Sequence, residues 1–151
     1  DDCFTRQEME KFLDSQYSLT NQCDRMGYRL EGQPIVHVEE PDIISDGIAL
    51  GAVQIPGHGQ PIVMMKDRQT VGGYAKIANV ISLDISQLAQ LKQGDIIQFA
   101  KVSVKEAQSL YKRRDELLNR LEIILRDKDA YENYVVRTGN GECKVGCQYS
   151  E

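Results

Sequence analysis

Between Ile48 and Ile55 both alternating sets of side chains are apolar: Ile48, Leu50 and Ala52 on one face, Ala49, Val53 and Ile55 on the other. A strand wetted on one face alternates apolar with polar residues, so a run that is apolar on both faces needs cover on both. Pro56-Gly57-His58-Gly59 follows with the composition of a turn, and Pro61-Ile62-Val63-Met64-Met65 returns as an apolar partner. A dry hairpin inside a closed barrel or a covered sheet is expected. It leads into Asp67-Arg68-Gln69-Thr70-Val71-Gly72-Gly73-Tyr74, which reads as a polar loop ending in a glycine pair. Loops held at the ends of rigid strands are where such folds place ligand-reading groups.

The flanking sequence supplies helices and further strands. Thr5-Arg6-Gln7-Glu8 has the pattern of a capping box, and Met9, Phe12 and Leu13 share a helical face, so a short helix is expected over 5–14. A strand begins near Tyr17–Leu19. Met26, Tyr28 and Leu30 then alternate with Arg25, Gly27, Arg29 and Glu31, a strand with one charged face. Residues 35–38 extend the sheet in this reading, and 39–42 form a loop. Another strand is expected over 77–81, a short helix capped by Asp84 or Ser86 and stopped by Gly94, and extended structure over 95–99. A second capping box, Ser103-Val104-Lys105-Glu106, opens a long amphipathic helix near 104–126, roughly 33 Å long at 1.5 Å per residue. Gly139-Asn140-Gly141 gives the tail, 128–151, the pattern of a closing hairpin. With no repeat or linker visible, 1–151 is expected to be a single domain.

Charge and composition exclude several functions. Eighteen basic and 23 acidic residues give a net charge of −5, and no basic stripe offers a footprint for nucleic acid. No apolar run approaches the roughly 18 residues of a membrane span. Cys3, Cys23, Cys143 and Cys147 follow neither zinc-ribbon nor thioredoxin spacing, and with only two histidines no metal site is expected. Reduced thiols in the cytoplasm are the simplest reading, a disulfide within the terminal pair the other.

Among candidate groups, Arg25, Arg29 and Glu31 suit an anion-binding face or, equally, a solvated strand with a cross-strand ion pair. Gln54 lies on the pleat face of Ile48 and Leu50, where its carboxamide needs backbone partners or an amide ligand. Gln60 lies in the hairpin's connection and Gln69 in the loop after it. The 67–74 segment serves either as a specificity loop with Tyr74 as a wall, or as a connection whose Asp67 and Thr70 cap backbone amides. It lacks the GxxxxGK[ST] pattern of a nucleotide loop. Asp46 reads as a turn residue, and His58 as an exposed turn histidine.

Five segments in order, Asp24–Gly32, Ile44–Ile48, Gly51–Pro56, Gly59–Val63 and Asp67–Tyr74, resemble the allophanate hydrolase subunit 2 family. That family is also known as the C-type subunits of 5-oxoprolinase, KipA-like proteins, or biotin-dependent carboxyltransferases. The resemblance runs over 24–99 and extends less closely into the helix from Ser103. Members are about twice this length, so the chain is similar to their second half, a fragment expected to be inactive alone. The resemblance implies a mainly β, cyclophilin-like closed β-barrel with flanking helices.

It further implies a bacterial, cytoplasmic hydrolase that opens the lactam of 5-oxoproline to L-glutamate. ATP is used by a heteromeric complex, in which the partners are the other two 5-oxoprolinase subunits: the A-type one, and the B-type one, which is KipI-like. On the matched motifs, Asp67, Gln69 and Thr70 are the catalytic candidates. Arg25, Arg29, Gln54, Gln60, Gly72, Gly73 and Tyr74 are the substrate-binding ones, facing a small planar amide. The alternatives are a carboxyltransferase domain moving a carboxyl group from biotin to urea, and a non-enzymatic regulator that binds a KipI-like kinase inhibitor.

Overall fold

The computed structural model describes residues 3–38, 40, 42–126, 135–138 and 141–144. By its contacts the chain divides into two compact units, 1–103 and 104–151.

The first unit opens with α1 (Arg6–Asp14), followed by β1 (Gln16–Cys23), β2 (Gly27–Gly32), β3 (Asp42–Gly47), β4 (Ala52–Gln54), β5 (Ile62–Met64), β6 (Val71–Tyr74) and β7 (Lys76–Asn79). α2 (Ser82–Leu88) and β8 (Ile96–Gln98) complete it. Six strands form one antiparallel sheet in the order β7-β4-β5-β2-β1-β8, while β3 and β6 pair only with each other, as a separate ribbon.

Of the expected dry hairpin, Ala52–Gln54 and Ile62–Met64 lie at the centre of this sheet, whereas residues 48–51 turn rather than extending β4 and leave Ala49 exposed. Val53 faces Val63 and Gln54 faces Ile62, and all three residues of β4 are buried. Burial of each of these valines stabilises the fold by about 1.5–3 kcal/mol. Tyr17, Leu19 and Leu30 join them in the main core through the β1–β2 register, Tyr17 opposite Gly32 and Leu19 opposite Leu30. α1 closes one end of that core. Thr5 accepts the Glu8 N–H at 3.2 Å and starts the helix, and Phe12 stacks on Phe99 at a centroid distance of 4.5 Å. The Glu8 carboxylate does not complete a capping box; it takes the Val36 N–H at 2.7 Å and the Lys11 ammonium.

Among the described residues the sheet has two open edges and accounts for part of the closed barrel expected. β7 and β8 are its edges, and no pairing among the described residues joins them. The two strands that could lengthen it, β3 and β6, spend their hydrogen bonds on each other. Three local expectations also change. The polar loop is confined to residues 67–70, because Val71–Tyr74 forms β6 against β3. Residues 35–38 are not a strand; single backbone bonds, Ile35 N–H to Gly59 O at 2.9 Å and Val38 N–H to Cys3 O at 3.0 Å, hold them in place. α2 has Ile81 at its N-cap, without a side-chain cap, rather than Asp84 or Ser86.

In the second unit α3 runs over Val104–Arg126, and none of its residues is buried, so its apolar stripe lies uncovered. β9 (Val135–Thr138) and β10 (Gly141–Lys144) pair with Thr138 opposite Gly141. The rest of the expected closing hairpin lies outside the described residues. Among those described, no helix is long and apolar enough to cross a membrane.

Candidate functional site

Polar side chains converge where the β3–β6 ribbon meets the sheet at β4 and β7. The rung that receives them is Asp46 opposite Gly72. Asp46 is met by Lys76 of β7, whose Nζ lies 2.8 Å from Oδ2 and 3.3 Å from the Gly47 carbonyl. The Gly47 N–H donates to the other carboxylate oxygen at 2.7 Å. The Lys76 ammonium first, and this amide second, hold the Asp46 carboxyl below its ordinary range.

At the other end of the rung, Gly72 is packed too closely to admit a side chain without movement. A Cβ there would lie 2.7 Å from Ile48 Cδ1, 3.4 Å from Gln54 Nε2 and 3.6 Å from Gln69 Nε2. Gln54 and Lys76 are themselves paired across β4 and β7, beside an irregularity in the register. Gln54 is the buried polar residue of this core, 1% exposed, and its Nε2 has no hydrogen-bond partner. An unmet buried donor costs about 1–3 kcal/mol, which neighbours such as Val53 and Ile55 avoid.

Arg68 anchors the base of the ribbon. Its Nε donates to Ile48 O at 3.0 Å and its Nη1 to Met65 O at 3.4 Å, and the Ile48 N–H returns a bond to Thr70 O at 2.9 Å. These contacts fix the segment carrying Gln69 and Thr70, both of which are exposed.

The candidates from sequence thus separate into three sets. Gln54, Gln69, Gly72 and the neighbouring Thr70 and Gly73 belong to the rung, with Tyr74 ending β6 at 40% exposure. Arg25 and Asp67 pair with each other, Nε to Oδ2 at 2.8 Å. Arg29 and Gln60 line a cleft of about 340 Å³ together with Glu31 and His58. Within it the Gln60 carboxamide is engaged on both atoms by Gly32, accepting from N–H at 2.9 Å and donating to O at 3.1 Å. No hydrogen bond or ion pair among the described residues joins the three sets.

Lys76 was not foreseen as a site residue, and Asp46 was read as a turn residue rather than a base. The signal for Asp46 and Lys76 was weak, because 30 residues separate them and a lysine in a short strand ordinarily points to solvent. Together the rung offers an ammonium and two carboxamides, a donor-rich arrangement suited to carbonyl or carboxylate oxygens.

Comparison with known proteins agrees with this architecture. The family model for the carboxyltransferase domain, subdomain A and B, matches residues 1–101. The chain is 39% identical over 126 residues to the C-type subunit of 5-oxoprolinase from Haemophilus influenzae, an alignment covering 83% of this chain and 41% of that protein. It is 42% identical over 113 residues to the C-type subunit of 5-oxoprolinase from Escherichia coli, covering 75% and 36%. This chain therefore spans about two fifths of the curated relatives it matches. The crystal structure of the K. lactis urea amidolyase superposes with a TM-score of 0.72 at 24% identity, over 76% of this chain and 7% of that one, a likeness of fold.

Proposed function

This chain belongs to the carboxyltransferase domain family, and we propose that it is part of the C-type subunit of a 5-oxoprolinase. The carrying observation is its 39–42% identity to two proteins of that name. In this reading a small lactam is held at the β3–β6 ribbon and opened to L-glutamate by a complex with the A-type and the KipI-like B-type subunits of the same enzyme. ATP is consumed by that assembly, which works in the cytoplasm.

The residues here bind and orient. Gln69 and Thr70, on the ribbon's exposed approach, and Asp67 beside them serve the reacting amide. Arg29 offers a guanidinium fork to an anionic group, Arg25 steadies Asp67 with its own, and Gly73 and Tyr74 border the approach along β6. Ring opening also needs a proton on the departing nitrogen, and Lys76, paired with Asp46, is placed to supply one. The closed cyclophilin-like barrel belongs to this proposal too, with 1–103 as one part of it.

The carboxyltransferase alternative draws on the fold shared with urea amidolyase. The donors of the rung would suit the ureido carbonyl of biotin as well as a lactam, so the site's chemistry accommodates that group. Higher identity to the 5-oxoprolinase proteins favours the lactam. A purely regulatory role, binding a KipI-like inhibitor, predicts partner binding indifferent to any small amide.

The test assembles the full-length polypeptide with its partner subunits and follows 5-oxoproline-dependent ATP hydrolysis. Joint replacement of Asp67 and Gln69 by alanine should abolish it. Full activity in an assembled mutant complex would remove these residues from the site.

A further inference from the structure

The β1–β2 pairing is irregular beside Arg29. Leu19 lies opposite Leu30 and Cys23 opposite Tyr28, so residues 20–22 all face Arg29. The Gln22 N–H donates to Thr20 Oγ1 at 3.2 Å within this bulge, which forms one wall of the cleft of about 340 Å³. Bulges of this kind re-aim side chains beside sites. His58 and Gln60 line the cleft too, and the carboxamide of Gln60 is fixed on Gly32. His58 Nδ1 accepts the Gln60 N–H at 3.1 Å, so the ring proton is on Nε2 and the ring offers a donor to an anion. Arg29 and Glu31 are both exposed on one face of β2, with buried Leu30 between them and roughly 7 Å of strand separating them.

Of the four arginines in the first unit, three have side-chain partners: Arg6 with Glu10, Arg25 with Asp67, and Arg68 with the carbonyls of Ile48 and Met65. The Arg29 guanidinium has none among the described residues, and neither has the Glu31 carboxylate. A cation and an anion thus share one cleft without meeting each other.

We propose that this cleft binds a small zwitterionic α-amino acid, its carboxylate on the Arg29 guanidinium and its ammonium on Glu31. The guanidinium fork matches a carboxylate in two-point geometry, and the His58 ring adds a donor beside it. Glu31 supplies the selectivity. A ligand with a carboxylate but no ammonium meets the Glu31 charge as repulsion, so the cleft discriminates against simple anions. It discriminates equally against a lactam acid, whose nitrogen is an uncharged amide. The ligand class follows from the cleft alone. That the amino acid is the L-glutamate released by ring opening rests on the lactam reading, which makes the cleft a product subsite apart from the rung.

The test is an NMR titration of the 151-residue chain with four probes: L-glutamate, L-alanine, 5-oxoproline and inorganic phosphate. The Arg29 Nε–H resonance, assigned by its disappearance in Arg29→Met, reports on the cleft. Both amino acids should shift it, and 5-oxoproline and phosphate should bind several-fold more weakly. Glu31→Gln should erase that preference, and Arg29→Met should bind none of the four. Both positions are exposed, so melting temperatures equal to wild type separate lost binding from lost fold, and the wild-type ranking decides without either variant. An unmoved Arg29 resonance, or phosphate or 5-oxoproline binding as tightly as L-glutamate, would overturn the proposal. Amino-acid binding at Arg29 with no 5-oxoproline turnover by the assembled complex would instead overturn the functional assignment and leave this site standing.

Discussion

Arg25 holds Asp67 through both edges of its guanidinium, Nε 2.8 Å from Oδ2 and Nη2 3.3 Å from Oδ1, across 42 residues of sequence. The Asp67 N–H also donates to the Arg25 carbonyl at 2.8 Å, so the β1–β2 turn and the loop after β5 are joined twice. The side chains are 83% and 44% exposed. A double-mutant cycle with Arg25→Ala and Asp67→Ala should therefore return a coupling of about 0–1 kcal/mol that weakens with salt. In the assembled enzyme, Asp67→Ala should cost far more in kcat/KM than in stability.

Glycine-to-alanine changes at 51 and 72 should differ in kind. Gly51 has φ of +84°, and a Cβ there would lie 2.7 Å from the Val80 carbonyl, a backbone atom that cannot move aside. Gly51→Ala should cost more than about 1 kcal/mol in denaturant unfolding. Gly72→Ala meets the end of the flexible Ile48 side chain and should cost less, yet it should impair lactam binding.

Phe12 is 2% exposed and lies between Phe99 and Tyr17, with centroids at 4.5 and 5.8 Å. Phe12→Ala should destabilise the first unit by about 3–5 kcal/mol, measured by chemical denaturation. A smaller loss would mean that α1 contributes little to the core.

The Asp46–Lys76 pair gives stability a defined pH dependence. The carboxyl is held below its ordinary range, so the unfolded chain binds its proton first as pH falls. Its stabilising contribution is complete above the unfolded carboxylate value, about 3.9, and disappears as pH drops through the lower folded value. Melting curves of the wild type and Lys76→Met should differ at neutral pH and converge in that acidic window.

The core of this fold is legible in the sequence because burial leaves its mark on residue type. Ala52, Val53 and Ile55 announce a strand dry on both faces, and Thr5 and Phe12 announce the cap and the buried face of α1. The ribbon escaped for the opposite reason. Val71-Gly72-Gly73-Tyr74 has two glycines in four residues, which weaken any strand signal, and only pairing with distant β3 makes it one. The site shared that fate: Gln54 and Gln69 stood out as carboxamides near a turn, whereas Lys76 gained meaning only when the rung brought Asp46 to it. Barrel closure depends on which strands pair at the edges, and alternation along single strands carries no record of that.

Product identification by the assembled complex decides the account most directly. Supplied with ATP, it should convert 5-oxoproline to L-glutamate and leave urea unchanged, with or without a biotin carrier and bicarbonate. Carboxylation of urea in the presence of that carrier, with 5-oxoproline untouched, would contradict it.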